Sequence, residues 1–220
     1  MEKIKNLRLL LPTAFLCMML LLPASSKAAY TELSVDSWRL RTVNYIFPGG
    51  SGEQSGLAGE IYVTLTDPTG ELDPLSTIAY CVELDVTITK GSYVTSLGPV
   101  GSDIAWLMDN YAGGSNDGVA AVQVSIWETL YGDDFTLTSG GNIGLLSEQY
   151  LAALAAAKPF TSETYNYLMF NYKIADNGSF QNLIVRAPGN PVPEPATILL
   201  LGAGLLGLAG VGRKKLQKRS

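Results

Sequence analysis

Two uncharged apolar runs, residues 9–22 and 196–212, bracket this chain of 220 residues, and each adjoins a cluster of bases. Lys3, Lys5 and Arg8 precede the first; Arg213, Lys214, Lys215, Lys218 and Arg219 follow the second. Such flanked runs belong to membrane targeting rather than to a globular core, so the ends are set apart before the middle is read. The first run has 14 residues, and Ser26-Lys27-Ala28 follows it with small residues where a signal peptidase reads them. Residues 1–28 are therefore expected to be a signal peptide, because 14 residues are few for a membrane span. Cys17 would leave with it. The second run would reach about 25 Å as a helix, the lower limit for crossing a bilayer. Positive-inside logic keeps the basic tail, 213–220, in the cytoplasm and the preceding domain outside. Gly202, Gly204 and Gly207 have the spacing of a dinucleotide-binding turn, but no further strand fits behind them, and they read better as small residues of a membrane helix.

Between the ends, residues 29–195 hold six bases against 19 acids, a net charge of −13. A surface that acidic repels phosphate backbones, so no nucleic-acid partner is expected. The chain has no histidine, which excludes a Ser-His-Asp triad, a Cys-His pair and a His-ligated zinc. No metal or cofactor is expected. Glu83 and Asp85, two residues apart on a strand, are the only candidate for a catalytic acid pair, and they read better as a solvated strand face. The protein is not expected to be an enzyme.

Residues 29–187 form one extracytoplasmic domain in this reading, and 188–195 a proline-rich linker. Strands are expected over 40–47, 57–66 and 77–89. In the third, Ile78, Tyr80 and Val82 share one face, and Ala79, Cys81, Glu83 and Asp85 the other. Three helices follow: 103–112 with Ser102 as N-cap, 118–131 capped by Asp117 and ended by Gly132, and 148–157 with Ser147 as N-cap. Strands over 164–173 and 179–186 close the domain. The elements do not alternate. The expectation is an α+β fold, mainly antiparallel β with an inserted group of about three helices, flanked by the signal peptide and a C-terminal transmembrane helix.

Two residues stand out. Val119, Val122, Ile126, Trp127 and Leu130 form an apolar stripe along the second helix, and Gln123 interrupts it. A buried carboxamide without partners costs about 1–3 kcal/mol, so Gln123 is either hydrogen-bonded into the structure or used chemically. Cys81 is the single cysteine left after signal removal, which suggests a reactive thiol, an intermolecular bond or a structural cysteine. Tyr80-Cys81-Val82 and Val122-Gln123-x-x-Ile126-Trp127 resemble the two motifs of thioester domains, surface modules of bacterial adhesins. The resemblance implies a bond between the Cys81 sulfur and the Gln123 acyl carbon, with Tyr80, Ile126 and Trp127 around it. It implies adhesion by covalent capture of a surface amine. The other reading is a non-covalent structural or carbohydrate-binding matrix protein in which Cys81 is incidental.

Val192-Pro193-Glu194-Pro195, then the apolar run 196–212 and the basic tail, resembles the PEP-CTERM sorting signal of Gram-negative bacteria. That resemblance implies recognition by an exosortase, a membrane-embedded cysteine protease and transpeptidase, in a cell that makes exopolysaccharide. The protein would sit briefly in the inner membrane and then reach the cell surface or the extracellular matrix.

Overall fold

Residues 32–66 alternate Leu, Val, Ile and Tyr with polar residues, the period of strands with one buried face. A computed structural model describes residues 29–188 apart from 48, 49, 51 and 179. The expected signal peptide (1–28), most of the linker with Val192, Pro193, Glu194 and Pro195, the apolar run 196–212, and Arg213, Lys214 and Lys215 lie outside the described residues. Among the described residues no helix is long and apolar enough to cross a membrane.

Strands β1 (Glu32–Ile46) and β2 (Gln54–Thr66) pair antiparallel from Glu32↔Thr66 to Tyr45↔Gln54, with a bulge between Val35 and Ser37. Leu33, Val35, Val43 and Tyr45 of β1 are buried, as are Ile61, Val63 and Leu65 of β2. At Gly59 (φ +148°) an added Cβ would lie 2.2 Å from the Arg39 carbonyl oxygen, so the strands approach this closely only over a glycine.

β3 (Leu75–Cys81) pairs with β2, β8 (Leu183–Arg186) with β3, β7 (Tyr172–Asp176) with β8, and β5 (Ser96–Gly98) with β7. On the other side of β1 lies β4 (Gly91–Val94), and β6 (Thr136–Ser139) pairs with the far end of β1. Every pairing is antiparallel. β4 and β5 are separated only by Thr95, whose N–H donates to the Thr31 carbonyl (2.8 Å) and whose hydroxyl donates to the Asp176 carbonyl (3.2 Å). One segment therefore joins both edges of the sheet, which nearly closes as a barrel and leaves little unpaired edge.

Four helices pack on this sheet: α1 (Ser102–Tyr111), α2 (Asn116–Tyr131), α3 (Asn142–Ala157) and α4 (Ser162–Asn171). α2 begins where the Ser115 side chain accepts from the Gly118 N–H, carries Asp117 in its first turn, and stops at Gly132 (φ +58°). Every residue from Gly118 to Trp127 is buried, so α2 is a core helix with apolar contacts on all sides. Ala120, Ala121, Val124 and Trp127 pack with Leu33, Val63, Ala79, Cys81 and Leu183. Val122 and Ile126 pack in a second cluster with Tyr80, Ile104, Leu107, Leu168 and Ile184.

The mainly antiparallel sheet with helices is as expected; several elements are not. Residues 164–173, expected as a strand, are mostly α4, and β7 starts only at Tyr172. The Thr161 hydroxyl accepts from the Thr164 N–H and starts that helix, so the cap overrides the alternation of Tyr165 and Tyr167. Among the described residues the helices number four rather than about three, and β6 interrupts them. The strand expected over 77–89 ends at Cys81. α1 is capped by Gly101 rather than Ser102, and α2 by Ser115 rather than Asp117. Ser147 lies inside α3, buried, with its hydroxyl 2.9 Å from that of Ser125. Leu130, placed in the apolar stripe, is 40% exposed.

Candidate functional site around Cys81 and Gln123

Cys81 is the last residue of β3, and its position explains Gln123. Pairing of β3 with β2 ends at Ile61↔Ala79, while pairing with β8 continues through Cys81↔Leu183. Val82 N–H donates to the Asn182 carbonyl on the β8 side (3.0 Å), so the backbone groups of Cys81 point the other way, where β2 has parted. Gln123 fills that gap. Its Oε1 accepts from the Cys81 N–H at 2.8 Å, and its Nε2 donates to the Cys81 carbonyl at 2.8 Å. The carboxamide thus acts as a piece of neighbouring strand and satisfies two backbone groups that burial would otherwise leave unpaired. Cys81 is 8% exposed and Gln123 0%. Residues 42 apart in sequence are held in contact by two hydrogen bonds.

Beside Cys81 lies a cavity of about 260 Å³, whose walls include Tyr45, Glu83, Leu84, Trp127 and Gln181. Glu83 is fixed there: its Oε2 accepts from the Asn182 N–H (2.8 Å), and its carbonyl accepts from Gln181 Nε2 (2.7 Å). That contact makes Glu83 a loop anchor beyond the end of β3, not part of the strand face expected to carry it with Cys81 and Asp85, although it still lines the cavity with Cys81. Of the three residues expected around the pair, Trp127 lines this cavity. Tyr80 and Ile126 do not; they pack in the second cluster, on the far side of β3 and α2.

Burial, and secondarily the Glu83 carboxylate, push the Cys81 thiol up to about 12. Only the thiolate is alkylated, so a free Cys81 in the folded domain is expected to react with iodoacetamide at pH 8 about a thousandfold more slowly than after unfolding. The folded rate rises about tenfold per pH unit until the thiol titrates. Labelling followed by mass spectrometry measures both; rapid labelling of the folded domain at pH 8 would show that the thiol is not shielded.

A cluster that the sequence did not single out holds the approach to α2. Glu60 of β2 is fully buried. Its carboxylate accepts from Arg39 Nη2 (2.6 Å), the Tyr80 hydroxyl (3.0 Å), the Tyr62 hydroxyl (3.3 Å) and the Gly113 N–H. It therefore ties β1, β2 and β3 to the loop between α1 and α2. Burial and the Glu60 carboxylate raise the Tyr80 phenol well above its ordinary range. The hydrogen bond to Glu60 raises the Arg39 guanidinium in turn. The only sequence signal is an acid in an apolar stretch of β2 with Arg39 and Arg41 on the partner strand.

No curated protein and no solved structure matches the chain. A family model described as the PEP-CTERM protein-sorting motif matches residues 191–214. The match takes in Val192, Pro193, Glu194, Pro195, the whole apolar run, Arg213 and Lys214; Lys215 follows it directly. The chain carries an exosortase sorting signal, and it is an exported protein held transiently in the membrane on its way to the cell surface.

Proposed function

We propose that the exported domain is a single-use covalent adhesin, not an enzyme, which captures a surface amine through a Cys81–Gln123 thioester. The observation that carries this is the paired contact of the Gln123 carboxamide with Cys81 at a buried strand end beside a cavity. The chemistry balances with the groups present. The Cys81 sulfur adds to the Gln123 acyl carbon, the carbon–nitrogen bond breaks, and the thiol proton leaves with nitrogen as ammonia. The Cys81 N–H, 2.8 Å from Oε1, sits where it stabilises the negative oxygen of the tetrahedral intermediate. A primary amine then attacks the same carbon, the carbon–sulfur bond breaks, and the amine proton passes to sulfur. Gln123 ends as a substituted amide and Cys81 as a free thiol. Burial supports this use, because it keeps water from the acyl group until an amine enters.

A second reading rests on the same two bonds. They are complete as a strand repair, and the raised thiol is the state of an inert cysteine. On that reading the domain is a non-covalent structural or carbohydrate-binding module of the matrix.

Intact mass of the secreted domain, with and without methylamine, separates the two. The thioester requires a mass short by one ammonia, converted by methylamine to the methylamide and restored to full mass by Cys81→Ala. A full mass with a thiol that titrates only on unfolding supports the second reading. Sorting by the exosortase is independent of this result.

A further inference from the structure

Three buried side-chain polar atoms among the described residues have no hydrogen-bond partner: Arg39 Nε, Asn177 Oδ1 and Trp127 Nε1. Only Trp127 lines the cavity beside Cys81. An indole N–H left bare in a protein interior is costly, and a fold that keeps one calls for a use of it. Trp127 is 3% exposed. Its ring packs against Tyr45 (centroids 5.8 Å apart) and Phe135 (6.0 Å), which also touch each other (5.6 Å). It also lies four residues after Gln123 on α2, one turn along the same face. Gln123 Oε1 accepts from Cys81 N–H, and a second lone pair of that oxygen is free for another donor.

We infer that Trp127 Nε1–H is the second oxyanion donor of this site, held for the acyl oxygen of Gln123 once the acyl carbon has moved onto the Cys81 sulfur. This rests on the thioester reading. In the resting amide the indole has no partner, so its bond forms only along the reaction. In the thioester that bond is to a neutral carbonyl; it strengthens as the oxygen takes negative charge in the tetrahedral intermediate, and that gain accelerates amine addition. When the amine adds to the thioester, the carbonyl electrons pass to oxygen, between Cys81 N–H and Trp127 Nε1–H. They return as the carbon–sulfur bond breaks, and the sulfur takes the proton released by the amine. Both donors come from buried, rigid positions and need no reorganisation.

The test compares the wild-type domain with Trp127→Phe, and with a domain carrying benzothienylalanine at 127. That analogue keeps the size of the fused ring and replaces only the N–H by sulfur. The thioester mass deficit is read first, then the rate of methylamine addition, then the infrared stretch of the thioester carbonyl. The inference expects the deficit to persist, addition to slow about 10²–10³-fold, as for loss of one oxyanion donor, and the carbonyl stretch to rise in both replacements. If the analogue keeps the wild-type rate and carbonyl stretch, Trp127 only packs, and the inference is overturned while the thioester stands. If the wild-type domain has its full mass, the thioester reading fails and this inference fails with it. If Trp127→Phe does not fold, the analogue alone decides.

Discussion

Replacing Glu60 by alanine is expected to destabilise the domain by about 3–5 kcal/mol, the cost of taking the buried acceptor from a half-buried ion pair and from the further donors on it. The size follows from what is left behind. Arg39 loses the carboxylate 2.6 Å away, and the Tyr80 hydroxyl and the Gly113 N–H lose their acceptor inside the protein. Arg39 is the less constrained partner, because about a third of its side chain (31%) reaches solvent. Its guanidinium can recover water by turning outward, whereas Tyr80 at 0% exposure cannot. Glu60→Gln keeps the shape and one carbonyl acceptor, so its loss is expected to be smaller, about 1–3 kcal/mol. Urea unfolding of the three proteins measures this. A Glu60→Ala loss below about 1 kcal/mol would mean that the cluster carries little of the fold. Because Glu60 also ties the start of α2 to the sheet through Gly113, the same variant should disturb the contact of Gln123 with Cys81.

These two clusters differ in how far the sequence revealed them. Gln123 was legible because a polar residue interrupts an apolar helix, and helical spacing needs only one element to be read correctly. Cys81 was legible as the single cysteine of the exported part. The way they meet was not. It depends on β2 parting from β3 after Ile61↔Ala79, a register event that no local pattern reports. Glu60 was missed for the same reason. It shares its strand parity with Tyr62, Thr64 and Thr66, which reads as a solvated face, and it is buried because Arg39, Tyr62, Tyr80 and the loop between α1 and α2 close over it. The centre of α2 and the facing halves of β1 and β2 follow local pattern, but the strand expected over 40–47 starts at Glu32, its first half being paired by β2 and β4. The short strands β4, β5 and β6 are made by their partners, and segments of three or four residues carry too little period to be seen. α4 went the other way. Tyr165 and Tyr167 alternate as in a strand, yet Leu168 is its single buried residue, so a weakly amphipathic surface helix reads locally as a closing strand.

Gln123 should matter to the fold whether or not it ever forms a covalent bond, and the two roles separate cleanly. The hydrogen bonds run to the backbone of Cys81, so Cys81→Ala keeps them and removes the thiol. In that background, Gln123→Leu leaves one N–H and one carbonyl buried and unpaired and is expected to cost about 2–6 kcal/mol, at about 1–3 kcal/mol for each group. Gln123→Glu is more informative, because it is also the side chain that hydrolysis of a thioester would leave. Protonated, the introduced carboxyl can donate to the Cys81 carbonyl as the amide does. Ionised, it can only accept, and it is a charge at a site with no solvent exposure. Burial therefore raises its folded pKa above the unfolded value of about 4.3. The folded state then binds more protons than the unfolded one. Stability is full below pH ~4 and falls as pH rises, by up to about 1.4 kcal/mol per unit, until the folded group titrates. Denaturant midpoints of the Cys81→Ala/Gln123→Glu domain from pH 4 to pH 8, set against Cys81→Ala alone, give the slope. A flat profile would place the side chain of residue 123 in water and remove the strand-repair role. A steep one means that hydrolysis of the proposed thioester would leave a weakened site at neutral pH, so that on that reading capture of an amine, which would restore an amide at position 123, would also be the outcome that keeps the domain folded.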